Sequence, residues 1–337
     1  MNAKFQYSLE NFRGVAIIFV MLSHLGSFEG ATGVGKFFYF VVANATAWFV
    51  FLSGYLFYHI ERNRFVYAGY LSKKARYVVL PYLILSIFPL VAGFLFGRPA
   101  LLGLSGPGYV GWSLVVGGSV VGPLWFVPMI TIFFLCSPVF NRLARTRMIY
   151  PLALAGIAFS VFSWRPIVNA NPLLAFLNFL GFYLLGLAFA AGRGYLDALR
   201  ESVKSALILA CLGLFVAAFA LYVALTDSPA GFFDGLGIFN PLQFGKLALL
   251  VALFFLFERY LNKQNEMLAM TAKISFGLFF MHGFYLMAFA RIQPFLPGGN
   301  GLLTFFEEVA IVILASFVTV LSIQRILGKH SRYVIGC

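Results

Sequence analysis

The chain has 337 residues, of which 61% are hydrophobic and only 10% charged. Soluble domains carry about 25% charged residues, so the composition excludes a soluble globular protein. The net charge of +13 would suit a nucleic-acid partner. The cations nevertheless fall in short clusters between apolar runs rather than on one continuous basic face, which excludes nucleic acid and points to a membrane.

Apolar runs long enough to cross a bilayer recur along the whole length, and no change of composition marks off a soluble domain. This predicts an all-α integral membrane protein, a single domain over 1–337 with no soluble extracytoplasmic domain. About ten transmembrane helices are expected, over 12–28, 38–59, 77–97, 123–140, 149–164, 173–191, 204–225, 241–258, 274–290 and 302–325. With the N-terminus inside, all of the 24 Lys and Arg except Lys36, Arg98, Arg165, Lys246 and Arg291 fall on the cytosolic side, so both termini are expected there. The N-terminal flank contains Glu10 and no small-x-small cleavage motif closes the run, so it reads as a membrane helix rather than a signal peptide.

The first run, Glu10 to His24, carries the densest chemistry. Glu10 precedes Arg13 by three residues, which makes them neighbours on a helix. Arg13 and His24 are eleven residues apart, close to one face at 100° per residue and separated by roughly 16 Å. An ionisable group at membrane depth costs a few kcal/mol unless it is paired or wet, so both are functional candidates. The bland alternatives are a helix-end arginine and a histidine bonded to a neighbouring helix.

Gly30–Phe37 nearly spells a phosphate-binding loop. Phe37 stands where Ser or Thr should hold magnesium and no strand precedes it, so that reading is rejected. Tyr70–Tyr82 holds the basic cluster Lys73, Lys74 and Arg76, either a membrane-face anchor for anionic lipids or a phosphate clamp. The Gly- and Pro-rich zone 98–122 is expected to be a re-entrant or interfacial loop. Trp125 reads as an interfacial anchor, with stacking on a sugar as the alternative. Gly181 and Gly186 are expected to permit close helix packing. His282 lies seven residues after Ser275, two turns on, so the two share a face. Glu307 and Glu308 are placed in the first turn of the last helix, where the dipole favours carboxylates. Asp227 and Asp234 fall in an outer loop. Cys136, Cys211 and Cys337 show neither metal spacing nor a disulfide framework, and no metal is expected.

Leu9-Glu10-Asn11-Phe12-Arg13-Gly14, followed by an apolar run ending in His24, resembles the start of the acyltransferase-3 membrane family. Phe49–Tyr55, which contains Ser53, is similar to that family's FF-x-LSG segment. The stretch KKARYVVLPY, Leu124–Pro128, and Ser275 with His282 resemble later segments. Glu10 stands where the family commonly has aspartate, and Lys73-Lys74 where it commonly has two arginines. Lysine lacks arginine's bidentate fork.

The resemblance implies a multi-pass protein of the bacterial inner membrane. It also implies transfer of an acyl group, most simply acetyl, from cytosolic acyl-CoA to a hydroxyl of a cell-surface polysaccharide or lipid-linked sugar. Acyl-CoA would be a substrate, with no permanently bound cofactor. Membrane lipids and separate polysaccharide-assembly proteins would be partners. In this reading His24 is the base or acyl carrier, and Arg13, oriented by Glu10, meets the donor. Lys73, Lys74 and Arg76 hold its phosphates, and His282 orients the acceptor or relays a proton. Ser53, Trp125 and Ser275 serve the acceptor or packing. The competing class is a transporter or flippase for a lipid-linked sugar or small solute, which would also place ionisable groups in the membrane.

Overall fold

The computed structural model describes residues 6–25, 33–95, 106–118, 120–164, 171–226, 238–296 and 302–337. In chain order the helices are α1 (Tyr7–Leu22), α2 (Gly33–Val42), α3 (Thr46–Glu61), α4 (Tyr67–Lys74), α5 (Leu80–Leu95) and α6 (Gly106–Val116). There follow α7 (Phe126–Leu135), α8 (Ser137–Leu143), α9 (Ile149–Val161), α10 (Pro172–Ala191), α11 (Arg193–Ala198) and α12 (Glu201–Thr226). The chain continues with α13 (Pro241–Tyr260), α14 (Glu266–Lys273), α15 (Ser275–Ile292), α16 (Leu302–Val309), α17 (Ala315–Leu327) and α18 (Ser331–Val334). Two π-helical turns, Ala75–Val79 and Ala310–Leu314, join α4 to α5 and α16 to α17. The fold is all-α, as hydrocarbon demands of a chain that must satisfy its backbone polar groups internally.

Among the described residues seven helical spans are long and apolar enough to cross a membrane, or eight if Gly122–Leu135 and Ser137–Leu143 form one bent span. At 16 residues α1 falls short of that length, as does α9 at 13. The expected helix at 12–28 is therefore shifted: it starts at Tyr7 and stops at Leu22. The run 38–59 falls within one candidate span, Gly33–Glu61, which is broken into α2 and α3 where Asn44 adopts a φ of 56°. Asn is one of the few residues that tolerates this left-handed conformation. Within 98–122, Gly106–Val116 is helical, at 11 residues too short to span. Residues 96–105 and Asp227 and Asp234 lie outside the described residues.

The chain divides into two compact units. Unit 1 is 1–65, 138–164 and 177–273, and unit 2 is 66–137, 165–176 and 274–337. Unit 1 is assembled on close backbone approaches. A Cβ at Gly54 of α3 would collide with the Tyr183 carbonyl of α10, and one at Gly186 of α10 with the Phe51 carbonyl of α3. Gly156 of α9 and Gly181 of α10 face each other in the same way. Gly181 and Gly186 thus do what the sequence implied. Unit 2 packs Gly283 against Val121 and Pro123, and the rings of Phe126 and Phe279 meet edge-on at 5.3 Å.

Gly186→Ala should therefore lower stability by about 1–3 kcal/mol through overpacking. Gly213→Ala, where an added Cβ meets nothing within 4 Å, should leave it unchanged or raised. Thermal unfolding of the two purified variants in one detergent checks the contrast.

Candidate functional site

Unit 1 holds Glu10, Arg13, His24 and Ser53, and unit 2 holds Lys73, Lys74, Arg76, Trp125, Ser275 and His282.

In unit 1, α1 lies along α14. Gly14 makes that possible, since a Cβ there would come within 2.5 Å of the Leu268 carbonyl oxygen. Arg13, next in sequence, donates Nε to the Ala272 carbonyl at 3.0 Å and Nη2 to the same oxygen. Ala272 is in the last turn of α14, where carbonyls lack intrahelical partners and cations are favoured. Arg13 is therefore a clamp on the end of α14. Glu10 and Ser53 are half-buried on α1 and α3.

His24 does not continue the helix. It sits in the turn after Leu22, its N–H bonded to the Met21 carbonyl at 3.2 Å. The helical-face argument linking it to Arg13 stops at the end of α1. The turn supplies something else. His24 Nδ1 lies 2.8 Å from the Val20 carbonyl, which can only accept. Nδ1 therefore carries the hydrogen, and in the neutral ring Nε2 is the nitrogen able to take a proton. Ser23 Oγ also reaches the Val20 carbonyl, at 2.8 Å.

His282 repeats the device in unit 2. It is fully buried on α15, and its Nδ1 stands 3.1 Å from the Leu278 carbonyl, one turn back. Nε2 is again the basic nitrogen. Ser275 opens the same helix and is fully buried.

The basic cluster is sorted by packing. Lys74 Nζ lies 5.3 Å over the Tyr70 ring and 4.8 Å over the Phe134 ring, a cation–π seat on the inner side. Lys73 and Arg76 are exposed. Arg76 sits in the π-turn Ala75–Val79, a rare insertion that re-aims the side chains after it. Trp125 is only 4% exposed, inside the 3-10 turn Gly122–Trp125 against Phe126, so it is a core residue and not the expected interfacial anchor. Glu307 and Glu308 also depart from expectation. They lie at the far end of α16, not in its first turn, and Glu308 is buried.

Two polar centres of unit 1 were not singled out from sequence. Lys246 of α13 is wholly buried; it donates to the Val41 carbonyl and lies 4.7 Å over the Trp48 ring. Val41 is in the last turn of α2, so the break at Asn44 leaves its carbonyl without a helical partner. Lys246 lies five residues after the Pro241 that opens α13, more than a turn inside the helix, and that depth was the available signal. The second is Arg193, which pairs with Glu258, lies 2.8 Å from Asp197 and donates to Tyr55 Oη at 3.3 Å. Glu258 also accepts from Ser8 of α1. Burial pulls the Arg193 guanidinium down, but the Glu258 hydrogen bond, Tyr55 and Asp197 outweigh it and hold it above its ordinary value. Nothing local in the sequence marks this pair, whose members are 65 residues apart.

Unit 1 also contains a cavity of about 510 Å³ among α9, α10, α12 and α13, lined by apolar side chains including Leu154, Ile157, Phe189, Leu214 and Leu247. Among the described residues no group of three or more His, Cys, Asp or Glu side chains could hold a metal ion.

A family model described as an acyltransferase domain matches residues 6–324, crossing both units. No curated protein and no solved structure matches the chain.

The Arg193–Glu258 pair is half-buried and each member keeps another partner, Asp197 for Arg193 and Ser8 for Glu258, so removing one side costs less than it would in a dry core. Arg193→Ala and Glu258→Ala should each lose about 1–3 kcal/mol of stability. The double variant should lose less than the two together, by about 1–3 kcal/mol of coupling. Denaturation of the four proteins in one double-mutant cycle measures it.

Proposed function

The chain belongs to the acyltransferase-3 family and is a multi-pass membrane acyltransferase, and from that footing we propose that it moves an acetyl group from acetyl-CoA to a hydroxyl of a cell-surface polysaccharide or lipid-linked sugar, in a bacterial inner membrane. The observation that carries this reading is the ring of His24. Its Nδ1–H is held by the Val20 carbonyl, so Nε2 is the basic nitrogen, the arrangement that general-base catalysis of acyl transfer requires.

In the proposed reaction His24 Nε2 takes the proton of the acceptor hydroxyl. The hydroxyl oxygen attacks the thioester carbonyl, giving a tetrahedral oxyanion. The carbon–sulfur bond then breaks, and the departing thiolate takes the proton back from the imidazolium. The products are the O-acyl ester and free CoA. Arg13 is a positioning residue in this scheme: with Nε and Nη2 engaged by Ala272 it holds α1, and so the turn carrying His24, in place. Glu10, three residues before it, supports the same segment.

Lys73 and Arg76, the exposed members of the basic cluster, are assigned to the donor's phosphates, and Lys74, seated on Tyr70 and Phe134, to holding α4. His282, with Ser275, is assigned to the acceptor side or a proton relay. Ser53 is assigned to packing beside Gly54, and Trp125 to the core. The apolar cavity among α9, α10, α12 and α13 supports a lipid-linked acceptor, because it offers hydrocarbon a place at membrane depth. Both termini are assigned to the cytosolic side, an assignment supported by the distribution of Lys and Arg.

Removing a general base typically costs 10²–10⁴ in rate. In a deletion strain, wild type should restore the O-acyl signals seen in the proton NMR spectrum of the surface polysaccharide, and His24→Ala at equal membrane level should not. Unchanged signals on deletion would sink the acceptor assignment, and restoration by His24→Ala would sink the role of His24.

A further inference from the structure

Residues 328–337 are a packed part of unit 2. Ser331 Oγ lies 2.8 Å from the Gly328 carbonyl and 2.6 Å from the Cys337 carbonyl, which closes the segment on itself. Ile335 is fully buried. A Cβ at Gly277 of α15 would meet Cys337 Sγ at 2.6 Å. Gly336, at a φ of 76°, passes the Tyr77 carbonyl so closely that a Cβ would stand 3.0 Å from it. The segment is thus seated against the π-turn Ala75–Val79, from which it is separated by some 250 residues of chain.

The seating brings together specific groups. The Tyr333 ring lies 5.6 Å from the Tyr77 ring, and the Arg332 guanidinium lies 4.8 Å over Tyr77. Tyr77 follows Arg76 directly. Lys329, His330 and Arg332 are exposed, as are Lys73 and Arg76. In 66–137 and 274–337 the only acidic side chains are Glu307 and Glu308. Those sit in α16, and α17 with its preceding π-turn, about 25 Å of helix, separates them from this end of the unit.

We propose that Arg332, with Lys329, forms the second wall of a phosphate-binding face whose first wall is Lys73 and Arg76. Its ligand class is a phosphate ester. A guanidinium lying over an aromatic ring keeps its N–H edges for bidentate contact with phosphate oxygens, and the ring limits its freedom before binding. Arg332 lies outside the stretch 6–324 that the family model matches. The inference rests on the assignment of Lys73 and Arg76 to the donor's phosphates. The same chemistry could be offered by a soluble nucleotide-bearing thioester or by the headgroup of an anionic lipid.

The test uses the full chain in nanodiscs, once in zwitterionic lipid alone and once with anionic lipid added, for wild type, Arg332→Ala, Arg332→Lys and Arg76→Ala. CoA is the soluble probe, titrated calorimetrically, and the rise in thermal midpoint on adding anionic lipid reports headgroup binding. Loss of one charge-assisted hydrogen bond should weaken CoA about tenfold in Arg332→Ala, with Arg332→Lys between it and wild type. If Arg332→Ala does not stay monodisperse, Arg332→Lys carries the comparison. A CoA effect identifies the soluble donor. A lost lipid-dependent rise with CoA binding intact identifies a lipid phosphate, and the site stands in either case. If Arg76→Ala weakens CoA while the Arg332 variants change neither readout, the second wall is wrong and the donor assignment survives. If none of the variants changes either readout, both fall.

Discussion

A polar side chain inside an apolar bundle must be given a partner by the chain itself, and here that partner is repeatedly a backbone carbonyl. Arg13 takes the carbonyl of Ala272, Lys246 that of Val41, His24 that of Val20, His282 that of Leu278, and Asn11 those of Leu261 and Lys263. Carbonyls become available where helices end or break, and apart from His282, held by Leu278 inside α15, the polar side chains named here are held at such places. The end of α14 receives Arg13, the break after α2 receives Lys246, and the turn after α1 holds His24. Glycines set how near the backbones come: Gly14 lets α14 approach α1 closely enough for its neighbour Arg13 to reach Ala272.

This capture also orders the chemistry. A carbonyl cannot donate, so an imidazole held by one through Nδ1 has its tautomer decided by the fold. Both histidines of the apolar region obey this, one in each unit. The proposed base is thus prepared by a local contact four residues back. The two units differ in charge as well. Unit 1 contains the Arg193–Glu258–Ser8 network, with its carboxylates paired. Unit 2 exposes Lys73, Arg76, Lys329 and Arg332, and its only acidic side chains are Glu307 and Glu308 of α16.

Fold class, membrane character and family were legible in the sequence because apolar run length, Lys and Arg placement and the Glu10–His24 motif are local signals. The glycines of α10 were readable for the same reason. What failed was what depends on where a helix ends. Ser23 and His24 look like a continuation of α1, since a turn inside an apolar run leaves hydropathy unchanged. Trp125 sits beside prolines, as an interfacial residue would, yet the 3-10 turn carries it into the core. Glu307 and Glu308 looked like first-turn carboxylates until α16 proved to begin at Leu302. Lys246 with Val41, and Arg193 with Glu258, are pairings of distant residues that no single stretch of sequence encodes.

The central claim is that Nε2 of His24 accepts the proton of the acceptor hydroxyl while Nδ1 only holds the ring. The most direct measurement is acyl-CoA turnover by the purified protein with His24 exchanged for its Nε2-methyl analogue, which keeps the Nδ1–H bond to Val20 and blocks the other nitrogen. The account predicts an unchanged thermal midpoint and release of free CoA lowered at least a hundredfold, the lower end of what a general base contributes. Turnover at the wild-type rate with that nitrogen methylated would contradict it.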